Sequence, residues 1–179
     1  IFFSLIKDKR QLIILFFTGI LIFLNWAVWI YAVAIDQIID ASFGYFIMPI
    51  ISIFLGYFFF KEKISNKGKI SIFIVLISII YLLLVDFNSI PWIGLIVAIL
   101  WSVYNLIRKK IKVDTDTGLF IESLLILPFI LIAFYIITKN NYNDFDISNP
   151  SLMLILILAG PMTVIPLFLY VKGVELSGL

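Results

Sequence analysis

The sequence predicts an all-α membrane protein, a polytopic bundle of helices, and three observations carry that prediction. First, 63% of its 179 residues are apolar, 13% are charged and the mean hydropathy is +1.17, more apolar surface than a soluble domain of this size can bury. Second, the apolar residues gather into six long blocks. Each has the length that a bilayer core about 30 Å thick requires of a helix, roughly 20 residues. Third, the gaps between the blocks alternate in charge. Basic gaps hold Lys7, Lys9 and Arg10, then Lys61, Lys63, Lys67 and Lys69, then Arg108, Lys109, Lys110 and Lys112, and last Lys172. The intervening gaps hold Asp36 and Asp40, then Asp86, then the stretch 139–150 with a single lysine. Short loops rich in Lys and Arg stay in the cytoplasm, so the basic gaps are expected inside and the others outside. The net charge of +2 then sums a basic face and an acidic one, and nucleic acid is not an implied partner.

The spans are expected at 12–35, 41–60, 70–87, 90–107, 119–138 and 152–171. The first follows a basic cluster and carries Asn25, Trp26 and Trp29. The second carries a stripe of Ser42, Tyr45, Pro49, Ser52 and Gly56 at helical spacing, and the fourth a stripe of Gly94, Ala98, Trp101 and Asn105. Membrane helices pack through small side chains and turn costly polar groups inward, so these stripes are expected to face a shared interior. The third is almost pure Ile, Leu and Val, which predicts a peripheral, lipid-facing position. The fifth holds Glu122 and Pro128, and the sixth holds Gly160, Pro161 and Pro166. Prolines inside spans remove backbone hydrogen bonds and bend helices. A barrel is excluded because 70–85 lacks period-two alternation. Short connections predict that sequential helices are antiparallel neighbours. The chain opens on Ile1 and reads as a piece of a longer protein, with no cleavable signal peptide: its apolar start precedes its basic cluster, the reverse of a signal's order.

With no Cys and no His, the chain offers no thiolate nucleophile, no imidazole base and none of the usual zinc or haem ligands. No catalytic residue, cofactor or metal site is expected. The candidate site is a substrate pathway. Asn25 either orients a solute or hydrogen-bonds a neighbouring helix. Trp26 and Trp29 lie too deep for an interfacial belt and either pack in the core or wall the pathway with Tyr45 and Trp101. Apart from Asp86 at the edge of the third span, Glu122 is the one carboxylate in a predicted span. It is read either as a snorkelling or helix-N-terminal acid, or as a proton-coupling group. Two competing classes stay open: an intramembrane enzyme acting on lipid or isoprenoid substrates, for which Asp36 and Asp40 are the available carboxylates, and a non-transporting scaffold.

Specific segments add a resemblance. Asn25-Trp26, the turn 35–40, Ala41-Ser42-Phe43-Gly44-Tyr45-Phe46-Ile47-Met48-Pro49, Leu55-Gly56 and Glu62 resemble the signature region of the RarD family, EamA-type members of the drug/metabolite transporter superfamily. Ile90-Pro91-Trp92, Tyr104, Arg108-Lys109-Lys110, Val113-Asp114, Thr117-Gly118-Leu119-Phe120, Ile121-Glu122 and Leu127-Pro128 are similar to that family's central region. The resemblance implies a ten-helix protein of two inverted five-helix repeats, of which this chain holds helices three to eight: 1–87 ends the first repeat and 88–179 begins the second. It implies a secondary transporter of the bacterial inner (plasma) membrane that exports a small organic metabolite or drug by alternating access. The bilayer and a small solute would be its partners, and a homodimer its assembly. Matched positions expected to line or shape the pathway are Asn25, Trp26, Tyr45, Pro49, Tyr104 and Glu122. Met48 departs from the pattern, standing where a polar residue is common in the family.

Overall fold

The computed structural model describes residues 8–61, 63–85, 90–111, 113–140 and 148–177, with 115, 167, 168 and 170–177 as backbone only. The described residues form six α-helices and no strand: α1 (Lys9–Ala34), α2 (Ile38–Phe60), α3 (Asn66–Val85), α4 (Trp92–Lys110), α5 (Thr115–Lys139) and α6 (Pro150–Ser177). Helices α1 to α5 are each long and apolar enough to cross a membrane, and α6 is apolar over Pro150–Pro166. The class read from the sequence, an all-α polytopic membrane protein, holds.

Local chemistry sets the ends of these helices. The Asp8 carboxylate accepts hydrogen bonds from the backbone N–H groups of Arg10 and Gln11 at 3.1 and 3.2 Å, so α1 begins at the basic cluster, before the first apolar residue. It stops in a Schellman turn: Asp36 is left-handed (φ 57°), its N–H reaches the Val33 carbonyl, and the Gln37 N–H reaches that of Ala32 at 2.8 Å. Helix α2 starts immediately afterwards, three residues earlier than the span expected from Ala41. Asp40 therefore lies in the first turn of a helix and not in a loop. At the far end α2 is broken by Lys61, also left-handed (φ 54°). Asp114 caps α5 through the Thr117 N–H (3.1 Å), and Asn149 caps α6 through the Leu152 N–H (3.1 Å), with Pro150 in the first helical position.

Contacts divide the chain into two units, Ile1–Lys112 and Val113–Leu179. In the first, the most extensive packing is between α2 and α4, followed by α1 on α4, while α3 packs lightly, chiefly on α2. The α2–α4 contacts advance in the same order along both chains: Asp40 with Gly94, Ser52 with Ser102, and Phe60 with Lys109. These two helices are therefore parallel, with α3 between them in sequence but not in space. Sequential helices do touch, α1 on α2 and α2 on α3, but far less than α2 on α4. The reason is at Gly44 and Gly94, where a Cβ on the first would run into the Gly94 carbonyl oxygen and a Cβ on the second into that of Asp40. Only glycine lets two backbones touch in this way.

Helix α3 has no small-residue stripe and cannot approach as closely. Ile79 is its one buried residue among those described, packed with Phe43 and Ile50 of α2. This is the peripheral position its composition predicts. The remaining core of the first unit is thin and made of small groups, with Leu15, Thr18, Ala32, Ala41, Val97 and Ala98 enclosed. Its outward face is apolar, as lipid contact demands: Phe58 is 71% and Leu84 80% exposed. In the second unit, Gly118, Ile121, Glu122 and Ile126 on α5 are enclosed, and α6 is described as a continuous helix through Pro161 and Pro166.

Candidate functional site

Asn25 is enclosed (3% exposed), and its amide Nδ2 donates to the backbone carbonyl of Val97 on α4 at 3.0 Å. Of its two sequence-based readings, this contact is the helix-to-helix one. Four residues along α1, Trp29 meets the Tyr45 ring of α2 edge-on, with centroids 5.9 Å apart and planes at 70°. Asn25 and Trp29 together tie the outgoing half of α1 to both members of the parallel pair.

The α2–α4 seam is polar at three levels. At the first, an Asp40 carboxylate oxygen accepts from the Gly94 N–H at 2.9 Å. A side chain of α2 thus satisfies an orphan donor in the first turn of α4, an N-terminal anion site used between helices. At the second, the Ser102 hydroxyl donates to the Met48 carbonyl (3.1 Å), so its only proton is spent. The Ser52–Ser102 contact at 3.2 Å must then have Ser52 as donor. Both hydroxyl protons are committed, and the oxygens retain only lone pairs. At the third level these serines form the floor of a cavity of about 140 Å³ that continues past Gly56, Phe60, Asn105 and Leu106 to Lys109. Lone pairs at the floor and the Asn105 amide on the wall can hydrogen-bond a small polar group.

The structure places the sequence-predicted residues unevenly around this seam. Asn105 lines the cavity. Trp101 and Tyr104 stack in a tilted pair at 5.7 Å on α4, with Tyr104 buried, and Trp29 and Tyr45 form the other aromatic pair. Trp26 is 44% exposed, and Pro49 is on the exposed side of α2. Neither touches the cavity. Glu122 is in the second unit and 1% exposed. The snorkelling reading fails for it, because a snorkelling carboxylate must reach water, and the N-terminal reading fails too, since Glu122 lies well past the first turn where the dipole acts. Of the two carboxylates named for the enzyme reading, that of Asp40 accepts from the Gly94 N–H, whereas Asp36 enters its turn through its backbone.

Sequence reasoning missed Ser102 and Lys109. The stripe expected on α4 is Gly94, Ala98, Trp101 and Asn105, whereas the packed line is Gly94, Ala98, Ser102. The missing signal was the continuation of a strict four-residue spacing of small side chains.

Residues 1–84 match the EamA-like transporter family. An uncharacterized transporter of Vibrio cholerae serotype O1 is 31% identical over 93% of this chain and 55% of its own length. The uncharacterized transporter YojE of Bacillus subtilis is 31% identical over 95% of the chain and 56% of its own length. Protein RarD of Escherichia coli K12 is 32% identical over 93% and 56% respectively. The chain thus spans a little over half the length of these curated relatives, and no solved structure matches it. By sequence, the chain resembles RarD proteins over most of its length and the EamA-like transporter family over residues 1–84.

Proposed function

We propose that this chain is part of a secondary transporter that moves a small organic solute across a bacterial inner membrane, and that the α2–α4 seam is one wall of its pathway. One observation carries the reading: an open cavity holding Ser52, Ser102, Asn105 and Lys109 between two parallel helices that are otherwise apolar. Polar groups are expensive in such helices and are kept where a polar solute or ion needs them. The family names of the relatives, which are transporters, agree with it. Transport by alternating access exposes such a site to one side of the membrane and then the other, and the α2–α4 contact joins a helix of the first expected repeat to one of the second. Its volume of about 140 Å³ is below the range of drug-sized pockets, roughly 300 Å³ and above, so in this conformation it takes only a compact group or one end of a larger solute.

In this reading Asn25, Trp29 and Tyr45 shape one half of the pathway, Trp101, Tyr104 and Asn105 the other, and Trp26 and Pro49 meet lipid or neighbouring segments. Glu122 is the coupling group if the flux is driven by protons. The basic end of the first unit faces the cytoplasm. The deciding experiment is solute flux into proteoliposomes containing the full-length protein, run with a metabolite panel. Saturable flux of a compact polar solute is expected, reduced about tenfold or more by Asn105→Leu. A full panel with no flux above that of protein-free vesicles would leave the scaffold reading in its place.

A further inference from the structure

The topology brings the basic residues of the first unit to one end. Helices α2 and α4 are parallel and finish there, α1 begins there because the Schellman turn joins its other end to α2, and α3 begins there after the break at Lys61. Not all of these cations are equally available. Lys109 Nζ sits 5.1 Å from the centroid of the Phe60 ring, and Lys110 Nζ sits 5.0 and 5.8 Å from those of Phe59 and Phe60, so both are engaged by aromatic faces of α2. Lys61 and Lys63 differ. They line an open cleft of about 350 Å³ whose other walls are Tyr57 and Phe58, the two aromatic residues that precede them on the outer side of α2, 53% and 71% exposed.

We propose that this cleft is a binding site for an anionic phospholipid, with the phosphodiester between the Lys61 and Lys63 ammonium groups and the acyl chains along Tyr57 and Phe58. Charge selects the headgroup: two ammonium groups attract a net negative lipid and repel the cation of a zwitterionic one. The aromatic walls select a lipid over free phosphate, because they belong to an apolar membrane-crossing helix and an inorganic anion gains nothing from them. Position agrees as well, since the cleft opens where α2 ends at its left-handed break, the level at which headgroups meet a spanning helix.

The test is native mass spectrometry of the full-length protein in detergent, titrated with phosphatidylglycerol or phosphatidylcholine. At roughly fivefold per lysine, phosphatidylglycerol is expected to bind about twenty-five-fold more tightly than phosphatidylcholine. The double change Lys61→Gln and Lys63→Gln should abolish that preference, Lys61→Arg with Lys63→Arg should keep it, and Lys67→Gln with Lys69→Gln, which removes the same charge from α3, should leave it within about twofold. The arginine pair also shows that loss of binding is not loss of folding. Glu62 lies outside the described residues, and Glu62→Gln should leave the preference equal or higher. The proposal is overturned by equal binding of the two lipids, by an equal loss in the α3 pair, by a fall on Glu62→Gln, or by displacement of the lipid by millimolar inorganic phosphate, which would make the site a plain anion site.

Discussion

Single residues here do work that their chemistry allows but their sequence position conceals. Asp36 and Asp40 read as a polar loop, yet one is the left-handed residue of a Schellman turn and the other caps a different helix. The Asx side chain is among the few that tolerate both tasks. Asn25 was legible as a costly amide that needs a partner, but which partner depended on where α4 passes. Glu122 shows the same limit more sharply. Its place near a basic loop fits a surface acid, and only the structure shows it enclosed. If it carries the coupling proton, Glu122→Gln is expected to flatten the pH dependence of flux in proteoliposomes while leaving counterflow of the solute intact. Wild-type pH dependence in that variant sinks the role.

At the level of elements, the helices themselves were readable because a span needs a long apolar run bounded by polar gaps, and that is a property of local sequence. Their ends moved by a few residues where caps extended them. Lys9 and Arg10 lie inside α1 because Asp8 caps it, and Arg108, Lys109 and Lys110 form the last turn of α4, where positive charge suits the carbonyl end of the dipole. Pairing was not readable in the same way. Periodicity marks a small face but does not say which helix meets it, and a 3.6-residue period does not separate a line through Trp101 from one through Ser102. The close approach at Gly44 and Gly94 makes a direct test. Gly94→Ala places a methyl group 3.0 Å from the Gly44 nitrogen and against the Asp40 carbonyl, so it should cost about 1–3 kcal/mol, seen as a lower unfolding midpoint in detergent. Gly160→Ala on α6 meets nothing within 4 Å and should be neutral or stabilising by up to about 1 kcal/mol, because alanine is the better helix former. Equal loss in both variants would mean that the α2–α4 contact is not close.

At the scale of the molecule, the alternating charge of the gaps becomes a physical polarity of the first unit. One end collects the basic residues of α1 to α4, and the other presents Asp36 and Asp40. That polarity predicts orientation. In intact cells a membrane-impermeant thiol reagent should label Gln37→Cys, and should label Asn66→Cys only after the membrane is permeabilised. These 179 residues hold no cysteine, and any elsewhere in the full-length protein is first replaced by serine. The reverse pattern would invert the orientation, and with it the leaflet in which the Lys61–Lys63 cleft lies.

The class, the apolar runs that become helices and the alternating charge of the gaps are determined by the sequence alone, since each follows from the local cost of placing apolar or charged groups relative to a bilayer. So is the resemblance to a transporter family, because its motifs are runs of neighbouring residues. Tertiary structure alone decided that α2 and α4 lie parallel with their backbones in contact, that Ser102 and not Trp101 faces the seam, that Asp40 serves α4, and that Lys61 and Lys63 are open while Lys109 and Lys110 are held by aromatic rings. Each of these is a relation between residues about fifty positions apart or a competition for one partner among several. Such choices are settled by which surfaces pack most closely, and the sequence records the surfaces without recording the choice.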